Sequence, residues 1–150
     1  MEGFYGTVSL QADEKGRYRI PSKYRSKFGE GKIFYMKNAS DYLSIISEEK
    51  AKEIQEKLCK KISLSENMIT FAARQIYSNI NEIKEDGQGR FTLPSELKQT
   101  LGIGKEVVFV GMGNKIEIWG KAKWEEENEK FSSNMSYDAI IAQLGEEITF

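Results

Sequence analysis

The sequence predicts a mainly β protein with short helices, in which two copies of one unit pack about a pseudo-twofold axis into a β-barrel, joined by a helical connector and followed by C-terminal helices. Three observations carry this prediction. Asp13–Arg25 (DEKGRYRIPSKYR) returns 73 positions later as Asp86–Lys98 (DGQGRFTLPSELK). The same gapless offset then lays Gly29 on Gly102, Gly31 on Gly104, Lys32 on Lys105 and Ile45 on Ile118, a register too long to arise by chance. Finally, a unit of roughly 45 residues with four short strands cannot bury a sufficient core alone, so the copies must pack on each other with their hairpins interleaved.

Each element follows from local chemistry. Tyr5–Leu10 alternates as a strand and Tyr18-Arg19-Ile20 forms a second, the two making a hairpin with a charged tip at Asp13–Gly16 between them. Pro21 fixes a helical φ and needs no donor, so it opens a short helix over Ser22–Phe28 that Gly29 ends. Ile33–Met36 and Tyr42–Ile46 are strands joined by the turn-rich Lys37-Asn38-Ala39-Ser40-Asp41. Ser47 caps a helix over Glu48–Lys61, acidic at its start and basic at its end, with Ala51, Ile54, Leu58 and Ile62 on one stripe. A second helix over Glu66–Gln75, capped by Ser65, places Met68, Ala72 and Ile76 on one face.

The second unit repeats the plan. Tyr77–Lys84 is a strand, DGQG a tip, Phe91-Thr92-Leu93 a strand and Pro94–Leu101 a helix, with Val107–Val110 and Lys115–Trp119 flanking a GMGN turn. A tail helix carries Trp124, Asn128 and Phe131 at helical spacing, Ser132-Ser133-Asn134 breaks it, and Gly145 ends a last helix over Tyr137–Leu144. The predicted organisation is a first half over 4–47, a connector over 48–76, a second half over 77–120 that shares one barrel with the first, and a helical tail over 121–150.

Composition excludes several function classes. At 150 residues, 39% hydrophobic and 30% charged, the chain has a globular composition. No apolar run approaches the roughly 20 residues of a membrane helix, and MEGFYGTVSL lacks the features of a signal peptide, so a cytoplasmic protein is expected. The single Cys59 permits no internal disulfide, and its KLCKK setting suits a half-exposed structural thiol better than a nucleophile. There is no histidine, no metal-ligand cluster and no base-paired nucleophile, so no enzyme, cofactor or metal site is expected.

The net charge of -1 hides an uneven distribution. Lys15, Arg17, Arg19, Lys23, Arg25, Lys27, Lys32 and Lys37 are offset between positions 13 and 37 only by Asp13, Glu14 and Glu30. The tail is acidic, and its EEENE run is a solvated face.

The basic excess centres on the first tip. Lys15, Arg17 and Arg19 lie on a tight turn, and arginine suits bidentate contact with guanine O6/N7 or phosphate. The alternative is that Asp13 and Arg17 simply pair and rigidify the turn, and the two roles are compatible. The second tip keeps Arg90 but has Gly87, Gln88 and Thr92 where the first has Glu14, Lys15 and Arg19. The first half is therefore expected to dominate; Arg90 is kept as a DNA-contact candidate, with the alternative that Asp86 and Arg90 are mainly architectural or contact neighbouring subunits. Lys23, Arg25 and Lys27 on the short helix are candidates for tracking phosphates, or an ordinary charged face. Gly16 and Gly89 supply positive φ at the tips, and Pro21 and Pro94 open the helices. GMGN is a hairpin turn rather than a dinucleotide loop, and Trp119 and Trp124 are core or subunit-contact residues rather than stacking platforms.

The two GR-aromatic-x-aliphatic-PS blocks, each with Asp four residues before the Arg, resemble the SpoVT/AbrB-type half-barrel. Tandem copies carrying DxKGRxxxP, DxQGRxxxP and IEIWxxxxW are similar to the MraZ family over about Phe4–Asn128. Lys50-Ala51-Lys52 and Asn79-Ile80 depart from that family's usual pattern, which has Trp at the first and a Gly-Ala pair at the second. The resemblance implies a swapped-hairpin, AbrB-like barrel and assembly into closed rings. It also implies a nucleoid-associated transcription regulator that binds direct repeats in double-stranded DNA upstream of a division and cell-wall gene cluster including its own gene, most simply as a repressor. It assigns DNA contact to the first tip, with Arg17 foremost and Lys15 and Arg19 flanking it. From another class, an antitoxin-like or other protein-binding module would use the acidic, aromatic segment Lys121–Phe131 to hold a partner.

Overall fold

The computed structural model describes residues 3–37, 39–62, 67–134 and 136–149. Its elements are β1 (Thr7–Gln11), β2 (Tyr18–Arg19), α1 (Ser22–Arg25) with a 3-10 turn over Ser26–Phe28, β3 (Ile33–Met36), β4 (Leu43–Ser47), α2 (Glu48–Ile62) and α3 (Asn67–Ser78). The second copy gives β5 (Ile80–Glu82), β6 (Arg90–Phe91), α4 (Ser95–Leu101), β7 (Glu106–Gly111) and β8 (Ile116–Gly120), and the tail gives α5 (Lys121–Asn134) and α6 (Tyr137–Ile148). The protein is mainly sheet with six helices, as the sequence predicts.

Hydrogen bonding joins the strands in the order β1-β7-β8-β4-β3-β5, an open antiparallel sheet, while β2 and β6 form a separate ribbon. Each repeat's first strand lies on the other repeat's third, β1 on β7 and β5 on β3, so the expected hairpin between β1 and β2 does not form as a ladder: β1 takes its partner from the second repeat and β2 pairs β6. The internal symmetry is explicit in the register. Ser44 and Glu117 are counterparts under the 73-residue offset and face each other across β4 and β8, and so do Tyr18 and Phe91 across β2 and β6. Both pairs mark the pseudo-twofold axis.

The alternating residues of the central strands divide between two apolar layers. Leu43, Ile45, Val107, Phe109, Ile116 and Ile118 point into one cluster with Tyr18, Phe91, Tyr24, Phe28, Leu93 and Leu101, which brings residues of both repeats and the ribbon together. Val108, Val110 and Trp119 form the layer on the opposite side with Tyr42 and Trp124 of α5. Trp119 is 5% exposed, stacks on Tyr42 at 5.0 Å and meets Trp124 edge-on at 5.5 Å, which is the core role expected of it. Burying Leu43, Ile45, Ile116 and Ile118 contributes roughly 1.5–3 kcal/mol each.

Several boundaries differ from the sequence reading. The expected strand Tyr77–Lys84 is cut to Ile80–Glu82 because α3 runs on through Ser78. On that helix the inward face is Ala73 with the half-buried Ile69 and Ile76, whereas Met68 and Ala72 are exposed, a rotation of one residue from the predicted stripe. The expected cap Ser65 and the residue Glu66 lie outside the described residues. Helix α5 continues through Asn134, past the predicted break, and α6 runs through Gly145 to Ile148. A glycine inside an exposed helix costs only about 1 kcal/mol, so it does not stop the helix there. Cys59 is exposed, with its Sγ 3.8 Å from the Tyr77 hydroxyl.

The two repeats also differ where their fourth strands end. Ser47 accepts a hydrogen bond from the Lys50 backbone at 3.1 Å and caps α2, as predicted. Its counterpart Gly120 has no room for a side chain, since a Cβ there would lie 1.9 Å from the Gly102 carbonyl oxygen. Urea unfolding is expected to reflect this difference: Ser47→Ala loses about 1 kcal/mol, whereas Gly120→Ala loses about 3 kcal/mol or more through the backbone clash. Equal losses would show that the close approach of Gly102 does not constrain position 120.

Candidate nucleic-acid interface

The two tips are built by the same hydrogen bonds. In the first, the Asp13 carboxylate accepts from the backbone N–H groups of Lys15 and Arg17, both at 2.9 Å, and from Arg17 Nε at 2.6 Å. In the second, Asp86 accepts from the backbone of Gln88 at 2.9 Å and Arg90 at 3.0 Å, and from Arg90 Nε at 2.8 Å. Gly16 and Gly89 occupy the left-handed region at φ 76° and 77°, where a Cβ would be strained, as predicted. Main-chain bonds from Gly16 to Asp13 and from Gly89 to Asp86 close the turns.

Of the two roles weighed for Arg17, the geometry shows the pairing with Asp13. Asp13 engages Nε only, and among the described residues the terminal Nη groups of Arg17 have no acceptor. The carboxylate thus fixes the plane of the guanidinium while leaving its outer edge to meet a ligand, an arrangement suited to bidentate contact. The backbone N–H of Arg17 is the main cause holding the Asp13 carboxyl below its ordinary value of 3.8, and the guanidinium adds to it. The equivalent N–H of Arg90 holds Asp86 down to about 2.

The ribbon sets the tips in relation to each other. Tyr18 and Phe91 are buried and face each other at 5.9 Å, so the flanking Arg17, Arg19, Arg90 and Thr92 take the outer side. Arg19 lies directly opposite Arg90, and its Nη2 reaches Gln88 Oε1 at 3.4 Å. The structure therefore brings Arg90 onto one surface with Arg17 and Arg19, where the sequence treated it as a separate tip. Like charges directly opposite on paired strands are destabilising. Lys15 is exposed at the tip and, among the described residues, makes no ion pair, nor does Arg19.

The basic residues of the short helix are placed differently. Arg25 is held by Glu85 through Nε at 3.1 Å and Nη2 at 2.9 Å, and donates to the Gly29 carbonyl at 3.3 Å. Lys27 donates to the Gly3 carbonyl at 2.6 Å, and Lys23 sits 5.2 Å from the Tyr24 ring centroid. The Arg25 and Lys27 contacts tie this helical segment to the second repeat and to the start of the chain. Pro21 and Pro94 occupy the cap positions of α1 and α4, with the Pro21 carbonyl accepting from Tyr24 and Arg25. The GMGN stretch turns between the paired strands β7 and β8, closed by the Met112 N–H on the Lys115 carbonyl, in keeping with its hairpin reading, and Gly113 also bonds Phe4. No signal within the first tip identifies the residue that the second repeat contributes beside it, Lys98: a Cβ on Gly16 would lie 3.6 Å from its Nζ. Only the offset, which lays Lys98 on Arg25, marks the position in the sequence.

Fold and site together define a tandem-repeat sheet protein that carries two carboxylate-braced arginines on one outward basic ribbon. A family model described as "MraZ protein, putative antitoxin-like" matches residues 4–74 and again 76–144, one match for each repeat. A protein of Clostridium tetani named "Transcriptional regulator MraZ" is 36% identical over 143 residues, covering 95% of this chain and 97% of the relative. Proteins of the same name from Clostridium acetobutylicum and Alkaliphilus metalliredigens are 34% and 32% identical, each with the same coverage. The chain belongs to the MraZ family.

Acid unfolding tests the bracing carboxylates. Both folded carboxyls titrate below 3.8, so their stabilisation is fully present above about pH 4 and is lost as pH falls through the folded values. Melting temperatures followed from pH 5 to pH 2 are expected to fall less steeply in Asp86→Asn and Asp13→Asn than in the parent. An unchanged acid limb would mean that the tips do not contribute through these carboxylates.

Proposed function

We propose that the protein is a sequence-specific DNA-binding transcription regulator that represses the division and cell-wall operon containing its own gene. On this reading it binds direct repeats in double-stranded DNA as a ring-shaped homo-oligomer, at the nucleoid in the cytoplasm, with Arg17 reading bases and Lys15 and Arg19 beside it. The observation that carries the reading is the Asp13-braced Arg17, whose Nη groups have no acceptor among the described residues, on a ribbon shared with Arg19 and Arg90. The relatives' printed name supports regulation of transcription. The exchange of first strands supports treating 4–47 and 77–120 as one swapped-hairpin, AbrB-like barrel domain, with 48–76 as connector and 121–150 as tail.

Several tips held at fixed spacing raise the effective concentration of each on the next repeat, so a weak single contact becomes a tight, spacing-dependent one. Backbone phosphates supply most of the affinity, and the arginine edges supply the sequence preference. Lys23 and Arg25 belong to the same interface as outlying phosphate contacts, with Arg25 available only when Glu85 releases it.

A second reading is favoured by one observation. Helix α6 exposes Tyr137, Ile140, Leu144 and Ile148, with Tyr137 at 71%, which suits an antitoxin-like module whose tail holds a partner. Deleting the tail separates the two: loss of a partner with DNA binding intact favours the module.

Titration of DNA from immediately upstream of the gene provides the test. Arg17→Ala is expected to cost about 1–3 kcal/mol per engaged tip, and more than Arg90→Ala. Deleting or respacing the direct repeats is expected to weaken binding. A larger loss for Arg90→Ala would overturn the dominance of the first tip, and indifference to repeat number and spacing would overturn the multivalent assembly.

A further inference from the structure

We propose that Lys98 of the second repeat completes the phosphate-binding surface of the first tip, and that Glu85 withholds the corresponding cation from the second tip. The proposal rests on the DNA-binding reading above and extends its site to a residue from the other repeat.

The geometry is direct. A Cβ built on Gly16 would lie 3.6 Å from Lys98 Nζ, so the ammonium sits against the tip glycine itself. The same ammonium lies 6.0 Å from the Tyr18 ring centroid, and Lys98, Gly16 and Tyr18 line one concavity with Lys105, Asp13 and Glu14. Among the described residues Lys98 makes no ion pair.

The pseudo-symmetric tip is the internal control. Under the 73-residue offset Lys98 corresponds to Arg25, and Ala12 to Glu85. A Cβ built on Gly89 would lie 3.7 Å from Glu85 Oε2, and that carboxylate holds Arg25 at 2.9 to 3.1 Å. At the second tip a cation and an anion therefore cancel beside the glycine. At the first, the anion's place is taken by the buried, uncharged Ala12, and Lys98, which shares its concavity with Asp13 and Glu14, is bound by neither in an ion pair among the described residues. The fold thus gives both tips a cation from the opposite repeat, and a single residue decides which of them offers it to a ligand. A lysine at that position contacts phosphate as a point charge, which adds affinity without sequence preference.

The experiment measures the dependence of the association constant on salt for the full-length protein, using duplex from immediately upstream of the gene and a scrambled duplex of equal length. Lys98→Ala is expected to make the slope shallower by about one per engaged tip and to weaken both duplexes by the same factor. Lys98→Arg restores the slope, and Glu85→Ala, by freeing Arg25, steepens it by about one. Thermal unfolding of each variant confirms that the comparison is between folded proteins. An unchanged slope in Lys98→Ala, alongside weakened upstream binding in Arg17→Ala, would overturn the role of Lys98 while leaving the DNA reading intact. Failure of Lys98→Arg to restore the slope would reduce Lys98 to a structural residue, and an unchanged slope in Glu85→Ala would overturn the role given to Glu85. If Arg17→Ala also has no effect on the upstream duplex, the DNA reading itself fails.

Discussion

Strand β1 finds its hydrogen-bond partner in β7 of the second repeat, and β5 finds its partner in β3 of the first. With its first strand donated away, neither copy has a complete set of paired edges, and each has backbone groups that only the other can satisfy. The central strands are joined at the Ser44–Glu117 pair and the ribbon at Tyr18–Phe91, both on the axis. Everything else is placed by that exchange. It sets the ribbon over the apolar layer and puts α4 of the second repeat beside the tip of the first, and α1 of the first beside the tip of the second.

Symmetry at the scaffold leaves room for asymmetry at the surface. The turns of the two tips agree to within about 0.2 Å in their main hydrogen bonds, because Asp, Gly and Arg are kept at the same spacing in both. Their charges differ, because Lys15 became Gln88, Arg19 became Thr92 and Ala12 became Glu85 in the offset comparison. The shared residues give a rigid platform, and the divergent ones decide how much positive potential each platform carries. The same division appears at positions 47 and 120, where one copy caps a helix and the other yields space to a backbone carbonyl.

What could be read from the sequence follows the range of the forces involved. The tips, the positive φ of Gly16 and Gly89, the capping Ser47 and the mainly β class depend on a few adjacent residues, and all were legible. Helix ends on weakly packed segments were not: α3 extends into the expected strand and α6 crosses Gly145, since no strong local stop competes with continued hydrogen bonding. Long-range contacts were also hidden. Arg25 reads as a free cation on a charged helix, yet Glu85, 60 positions away, holds it in an ion pair. Arg90 reads as a remote second tip, yet the ribbon seats it opposite Arg19. Lys98 carries no local mark at all; the duplication alone could have pointed to it, by placing it where Arg25 stands.

The central claim is that one rigid scaffold presents two tips of unequal strength on a single surface. Amide hydrogen exchange of the full-length protein, with and without DNA from upstream of its gene, tests that claim most directly, because it reads both tips in the same molecule. The account predicts slowed exchange on binding at Glu14–Arg17 that clearly exceeds any slowing at Gly87–Arg90, with the central strands unchanged. Equal protection at the two tips, or protection confined to α5 and α6, would contradict it.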